Sequence, residues 1–289
     1  MTQASVLYDA PGPRARARNR ITALVTVLLF AAIIGWVLWK FAAAGQFTAA
    51  KWEPFFTGNL WKTYLVEGIQ GTLTAAAISI VLALALGCVL GIGRLAPAAW
   101  ARWLCATFVE FFRAVPVLIM MLFSYSLYAM YDVFPSEYLA LAGVVTGLTL
   151  YNGAVIAEIV RTGVHALPRG QAEASSALGL TWLQTMRSIL LPQAITSMLP
   201  VLVSQMVVVL KDTAIGYQIT FIEMVRQGQT IGSSYGNYIP ALMVVAALMI
   251  GLNFALSSFA TRLEARLRRS KKGPDPVAAR TVIQDGPGI

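Results

Sequence analysis

The 289-residue sequence predicts an all-α membrane protein with six transmembrane helices, and three observations carry that expectation. Hydrophobic residues make up 57% of the chain and charged residues only 12%, about half the charged share of an average soluble domain. The apolar residues gather into runs of roughly 20, the length that a bilayer core of about 30 Å demands at 1.5 Å per helical residue. The formal charge is +9, and the basic residues concentrate in alternate connecting segments, the bias expected of cytoplasmic loops. Little is left for a second folded domain. A nucleic-acid partner is not expected, because no basic face alternates with exposed aromatics.

Taken in order, residues 1–20 read as a flexible, polar, cytoplasmic arm holding Pro11, Gly12 and Pro13 and ending in Arg14, Arg16, Arg18 and Arg20. Residues 21–39 carry no charge and predict an extra N-terminal helix over 21–41. The competing reading is a cleaved signal peptide with Ala42, Ala43 and Ala44 as its small residues. Against it, the apolar run exceeds the usual length and Lys40 interrupts the approach to those alanines. A polar stretch with Lys51, Glu53 and Lys62 follows. Further spans are expected at about 71–93, 115–131, 138–160, 194–210 and 239–260, within a transmembrane body covering 67–262. Residues 263–289, with Lys271 and Lys272, predict a basic, disordered cytoplasmic tail. With the amino terminus inside, 17 of the 22 Lys and Arg residues fall on the cytoplasmic side, leaving Lys40, Lys51, Lys62, Lys211 and Arg226 outside. The reverse orientation inverts the positive-inside bias, so both termini are assigned to the cytoplasm.

Counting excludes several chemistries. His165 is the only histidine and Cys88 and Cys105 the only cysteines, too few nitrogen and sulfur ligands for a zinc site. Both cysteines are expected to be free, because they fall in or beside apolar runs toward the cytoplasm. No Gly-Lys-Ser/Thr phosphate loop is present, so the chain lacks that route to ATP hydrolysis. A serine hydrolase built on Gly232, Ser233, Ser234 and Tyr235 lacks a base, since His165 is assigned to the opposite side.

The segment from Arg161 to Pro192 is longer than a connection between neighbouring helices requires. Pro168 and Gly170 open it, and residues 171–178 predict a short helix of small residues with a single acid, Glu173. Gly179 is placed to end that helix in a left-handed conformation. Thr181 and Gln184 fit a capping box that starts a second short helix, expected to stop at Pro192. A small-residue helix at the cytoplasmic surface suits a groove on a partner protein. Resting on lipid instead calls for large apolar residues and a basic polar face, both missing from 171–178.

Glu173 and Ala174, then Gly179, then Ile189, Leu191 and Pro192 follow a pattern that resembles the EAA loop of ABC importer permeases, with Ser175 where that family usually has alanine. Gly71 to Thr74, EFFRAVPVLI at 110–119, AEIVRTGV at 157–164, LPRGQAEA at 167–174 and LKDTAI at 210–215 are similar to the branch that imports polar amino acids. The likeness covers about 71–260, a five-helix core to which the first helix is added. The opening LYDAPGP at 7–13 looks like the glutamate-importer permeases of actinobacteria.

The resemblance implies a pore subunit, not an enzyme, that moves its solute by alternating access. It implies three partners: a dimer of cytoplasmic ATPases that carries the ATP and magnesium, a second permease subunit with a heterodimer favoured over a homodimer, and an extracytoplasmic substrate-binding protein. Glu173, Ala174, Ser175, Leu178 and Gly179 would form the coupling helix that contacts the ATPase. No cofactor is expected on this chain.

A polar path is expected near midplane from Ser124, Tyr125, Tyr151, Asn152, Ser204 and Gln205, groups that are costly against lipid. For each alone, helix-to-helix hydrogen bonding is an equally good account. Where the family has an asparagine before Gln205, this chain has Ser204. Glu158 and Arg161, three apart, are expected to pair at the inner end of their helix. Lys211 and Asp212 are assigned to the outer end of the fifth span, and His165 to a loop. A gradient-driven transporter or channel would share the polar path but has no need of the 161–192 module.

Overall fold

The structure is a computed structural model that describes residues 12–269. The described residues contain helices and no strand. Helix α1 (Pro13–Ala43) leads into short turns, and a second helical run, Gly58–Gly93, passes through a π turn at Trp61–Leu65 and becomes α2 (Val66–Gly93). Then come α3 (Ala99–Ala114), α4 (Val117–Met130), α5 (Leu139–His165), α6 (Gly170–Ala177), α7 (Trp182–Thr185), α8 (Leu191–Asp212), α9 (Met224–Tyr235) and α10 (Tyr238–Arg269). Among the described residues, five helical runs are long and apolar enough to cross a membrane, and a sixth crossing exists if α3 and α4 count as one bent span.

Helix α1 has no buried residue, and Leu24, Leu28 and Trp36 are exposed around it. Such all-round apolar exposure is that of a helix whose solvent is lipid. It begins at Pro13, a favoured first position, so Arg14 to Arg20 are helical and not part of a flexible arm. Likewise α10 continues to Arg269, past the expected boundary at 262. Residues 1–11 and 270–289, with the rest of the arm and most of the tail, lie outside the described residues.

The centre of the fold is the pair α2 and α5. Ala83, Gly87 and Gly91, spaced by four, bring α2 against Ile156 and Val160 of α5. A Cβ on Gly87 would stand 2.9 Å from the Gly153 carbonyl oxygen, and one on Gly91 2.9 Å from that of Ala157. Small residues let two backbones meet where water-driven association is unavailable. Met121, Val144, Leu148 and Val209 extend this core toward α4 and α8.

The third span differs from expectation. Val115 is extended before Pro116, α3 meets α4 at 100°, and α4 is only 14 residues long, about 21 Å against a core of about 30 Å. Proline disfavours the helical conformation in the residue before it, which breaks the helix inside EFFRAVPVLI. Helix α3, absent from the expected list, buries Val109 and exposes Trp100, Trp103, Leu104 and Phe111.

At the opposite end of α2, α9 folds back over its first turns. Gln227 donates to Glu67, the Met224 amide donates to Thr72 Oγ1, and a Cβ on Gly71 would overlap the Ile222 carbonyl oxygen. Glu223, fully buried, caps α9 by accepting from the Val225 and Arg226 amides. Burial pushes its carboxyl up to about 7 against the pull of those two hydrogen bonds.

Candidate functional site: the helix, glycine and helix between α5 and α8

Helix α5 ends at His165, which makes that histidine a helix terminus and not a loop residue. The chain turns at Pro168 and enters α6, where Gln171, Ala172, Glu173 and Ala174 are exposed. Three features stop α6 abruptly. Gly179 sits at φ +74°, its amide donates to the Ser176 carbonyl, and the Leu180 amide donates to the Ser175 carbonyl. That pair of bonds is a Schellman motif, which satisfies the last carbonyls of a short helix. Two residues later Thr181 Oγ1 accepts from the Gln184 amide and Gln184 Oε1 accepts from the Thr181 amide. This reciprocal box fixes where α7 begins.

The geometry divides the sequence-predicted residues. Glu173, Ala174, Leu178 and Gly179 are exposed, with Leu178 at 79%. Nothing lies near the position a Gly179 Cβ would take. Ser175 is turned inward at 1% exposure, and its hydroxyl donates to the Ala172 carbonyl. It supports α6 from behind and is not part of the outward face. Behind α6 lies a cavity of 470 Å³ lined by Leu95, Leu167, Ser176 and Trp182.

Pro192 does not stop the second helix. Helical backbone runs from Trp182 through a π turn at Met186–Leu190 into α8 and on to Ile219. Proline follows the wide turn at the start of a new α-helical register, where its missing N–H costs no bond. The α7 end of the module is therefore continuous with the long span of α8, while short turns at 166–169 and 178–181 join α6 to α5 and to α7.

At the same end of α5 lies an ion cluster. Glu158 accepts from Arg161 on its own helix, as expected, and also from Arg94 at the end of α2. Arg113 of α3 approaches the same carboxylate at 4.0 Å, and Arg94 reaches Glu110 at 3.7 Å. Partners 64 positions apart leave no local signal, so only the Glu158–Arg161 pair was legible.

The six residues expected along a polar path do not form one lining. Gln205 donates to Asn152 Oδ1 at 2.6 Å, and Asn152, fully buried, donates to the Leu148 carbonyl. That is helix-to-helix bonding between α5 and α8. Ser204 instead donates to the Pro200 carbonyl and faces a 460 Å³ groove between α8 and α10, with Lys211, Ser257 and Thr261. Ser124 opens onto an apolar groove beside α4, Tyr125 packs against Gly143, and Tyr151 is half-buried on α5. Lys211, assigned from sequence to a span end, thus shares a groove with Ser204.

Residues 83–269 match the family model described as binding-protein-dependent transport system inner membrane component. The chain belongs to that family. It is 52% identical over 234 residues to the glutamate transport system permease protein GluD of Corynebacterium glutamicum, covering 81% of this chain and 86% of that one. It is 35% identical to the probable glutamine ABC transporter permease protein GlnP of Bacillus subtilis, covering 70% and 93%. A crystal structure of an amino acid ABC transporter with histidines superposes with a TM-score of 0.63 at 27% identity, covering 70% of this chain and 92% of that one. The chain is thus an ABC importer permease, a multi-pass membrane pore subunit with the fold of that family.

Proposed function

We propose that this permease carries glutamate or a close polar relative into the cell, driven by cytoplasmic ATPases that seat on α6. The substrate reading rests on the 52% identity to a glutamate permease. The coupling reading rests on one observation: Glu173 and Ala174 on α6 and Leu178 just after it face outward, beside a turn fixed by the Gly179 motif that ends α6 and the Thr181 box that starts α7. A partner that pushes on this module acts through α7 on the continuous α8 span and not merely on a loop, as rigid-body alternating access requires.

In this assembly ATP and magnesium belong to the ATPase dimer, an extracytoplasmic binding protein delivers the solute, and a second, different permease completes the pore. Glu173, Ala174, Leu178 and Gly179 face the ATPase, with Ser175 holding them from behind. Both termini lie in the cytoplasm, the orientation favoured by the basic-residue bias. Ser204 and Lys211 in the α8–α10 groove are the nearest candidates for contact with solute.

Mass spectrometry of the complex purified through a tag on this chain tests the assembly. A stoichiometric ATPase and a second permease are expected, and an intact preparation lacking any ATPase overturns the reading. Glu173→Arg is expected to abolish substrate-stimulated ATP hydrolysis with membrane insertion unchanged. Normal stimulation in that variant removes α6 from the coupling role.

A further inference from the structure

The bend between α3 and α4 holds a groove of 520 Å³ whose walls are almost wholly apolar, including Phe111, Val115, Ile119, Phe123, Leu127 and Leu150. It follows α4 from Val115 to Leu127, a run of about 18 Å, slightly more than one leaflet of a core about 30 Å thick. The far end is closed by a hydrogen bond between Tyr128 and Thr146 at 2.9 Å. No charged side chain lines the groove, so an amino acid with an ammonium and carboxylates finds no partner there.

The near end is different. Arg113 follows Phe111 and Phe112 of the groove wall by one turn or less and keeps 44% of its side chain exposed. Its carboxylate partner Glu158 is 4.0 Å away and already bound by Arg94 and Arg161. Three guanidiniums share Glu158 and the outlying Glu110, which leaves one positive charge in excess. Glu158 lies eight residues beyond Leu150 on α5, about 12 Å further along the helix. A cationic end is therefore set one headgroup's distance beyond an apolar slot. Beside it, α3 crosses at 100° to α4 with Trp100 and Trp103 outward, the placement of an aromatic anchor at the membrane–water boundary.

We infer that the α3–α4 bend is a binding site for one anionic phospholipid, with an acyl chain in the groove and the phosphate on Arg113. The planar guanidinium can meet two phosphate oxygens at once, and the phosphate supplies the negative charge that the cluster lacks. A neutral zwitterionic lipid fits the same slot but brings its own cation to a cationic site.

The assembled transporter is reconstituted in nanodiscs of equal phosphatidylglycerol and phosphatidylcholine, and native mass spectrometry counts the lipids retained on release. Phosphatidylglycerol is expected to be retained several-fold over phosphatidylcholine. Arg113→Gln should remove that preference, and Ile119→Trp, which fills the slot, should lower retention of both lipids. Arg102 bonds the Ala96 and Pro97 carbonyls instead, so Arg102→Gln should leave the preference intact. Equal retention of the two lipids by the native protein overturns the site, as does an equal loss in the Arg102 and Arg113 variants, which marks diffuse surface charge. A cross-link from position 123 to the second permease, with no lipid retained, assigns the groove to that subunit and overturns the proposal equally. If Arg113→Gln does not assemble, Arg113→Lys, which keeps the charge without the fork, should show a reduced preference; an unchanged one counts against the phosphate contact.

Discussion

At Gly179, in the exposed turn after α6, glycine is required by a backbone angle, whereas at Gly87, in the buried contact of α2 with α5, it is required by a neighbour. The first sits at φ +74° with open space where a side chain would go. The second has ordinary helical geometry, and any Cβ there collides with Ile156 and the Gly153 carbonyl. The α6 module is thus specified by its own few residues and can be tuned without disturbing the core. The α2–α5 contact depends on a partner more than 60 residues away and tolerates almost no change.

Breaking the tertiary side of that comparison should cost most. Gly87→Leu is expected to separate α2 from α5 and destabilise the protein by about 3 kcal/mol or more, seen as loss of the folded fraction in mild detergent. Glu158→Gln comes next, because it leaves Arg94, Arg113 and Arg161 around a neutral side chain at a position where the Glu158 side chain is only 22% exposed. A loss of about 2 kcal/mol is expected in thermal unfolding. If that variant unfolds like the native protein, the cluster does not brace the inner ends of α2, α3 and α5.

The local side should break more gently. Gly179→Ala forces a Cβ into the left-handed region, a strain of about 1.5 kcal/mol, and the whole cost should fall on α6. Membrane insertion and unfolding temperature should stay near native while substrate-stimulated ATP hydrolysis falls; a large drop in stability would show that the turn is tied to the core. Gly179→Asn, which tolerates φ > 0 better, should recover part of the stimulation.

Glu223 combines the two sides, since its capping is local and its burial tertiary. Its carboxyl is raised from 4.5 to about 7 in the folded protein, so between those values the folded state binds more protons than the unfolded one. Stability should therefore fall as pH rises from about 4.5 to 7 and level off above, with a slope up to about 1.4 kcal/mol per pH unit. Unfolding temperatures measured from pH 5 to 8 should show the decline. Glu223→Gln should flatten it.

What was legible in the sequence is what short stretches encode. Apolar runs of bilayer length marked the spans, and Gly179, Thr181 and Gln184 marked the end of α6 and the start of α7, because capping is a contact between residues a turn apart. Glu158 and Arg161 were readable for the same reason. Pro116 and Pro192 show the limit. Each is a proline beside an apolar run, yet the first breaks the helix by 100° and the second is absorbed by a π turn in a continuous one. The residue before Pro116 is extended and the one before Pro192 is helical, a difference that the proline alone does not announce.

By itself, then, the sequence determined the helical membrane class, the module at 170–185 and the kinship with importer permeases, all of which rest on composition or on residues a few positions apart. Only the tertiary structure decided that α3 and α4 meet at an angle, that Arg94 and Arg113 converge on Glu158, that Asn152 is spent on Gln205, and that Lys211 shares a groove with Ser204. Those contacts join helices far apart in the chain. Their partners are set by which helix faces pack together, and an apolar run that is hydrophobic on every side does not record which face that is.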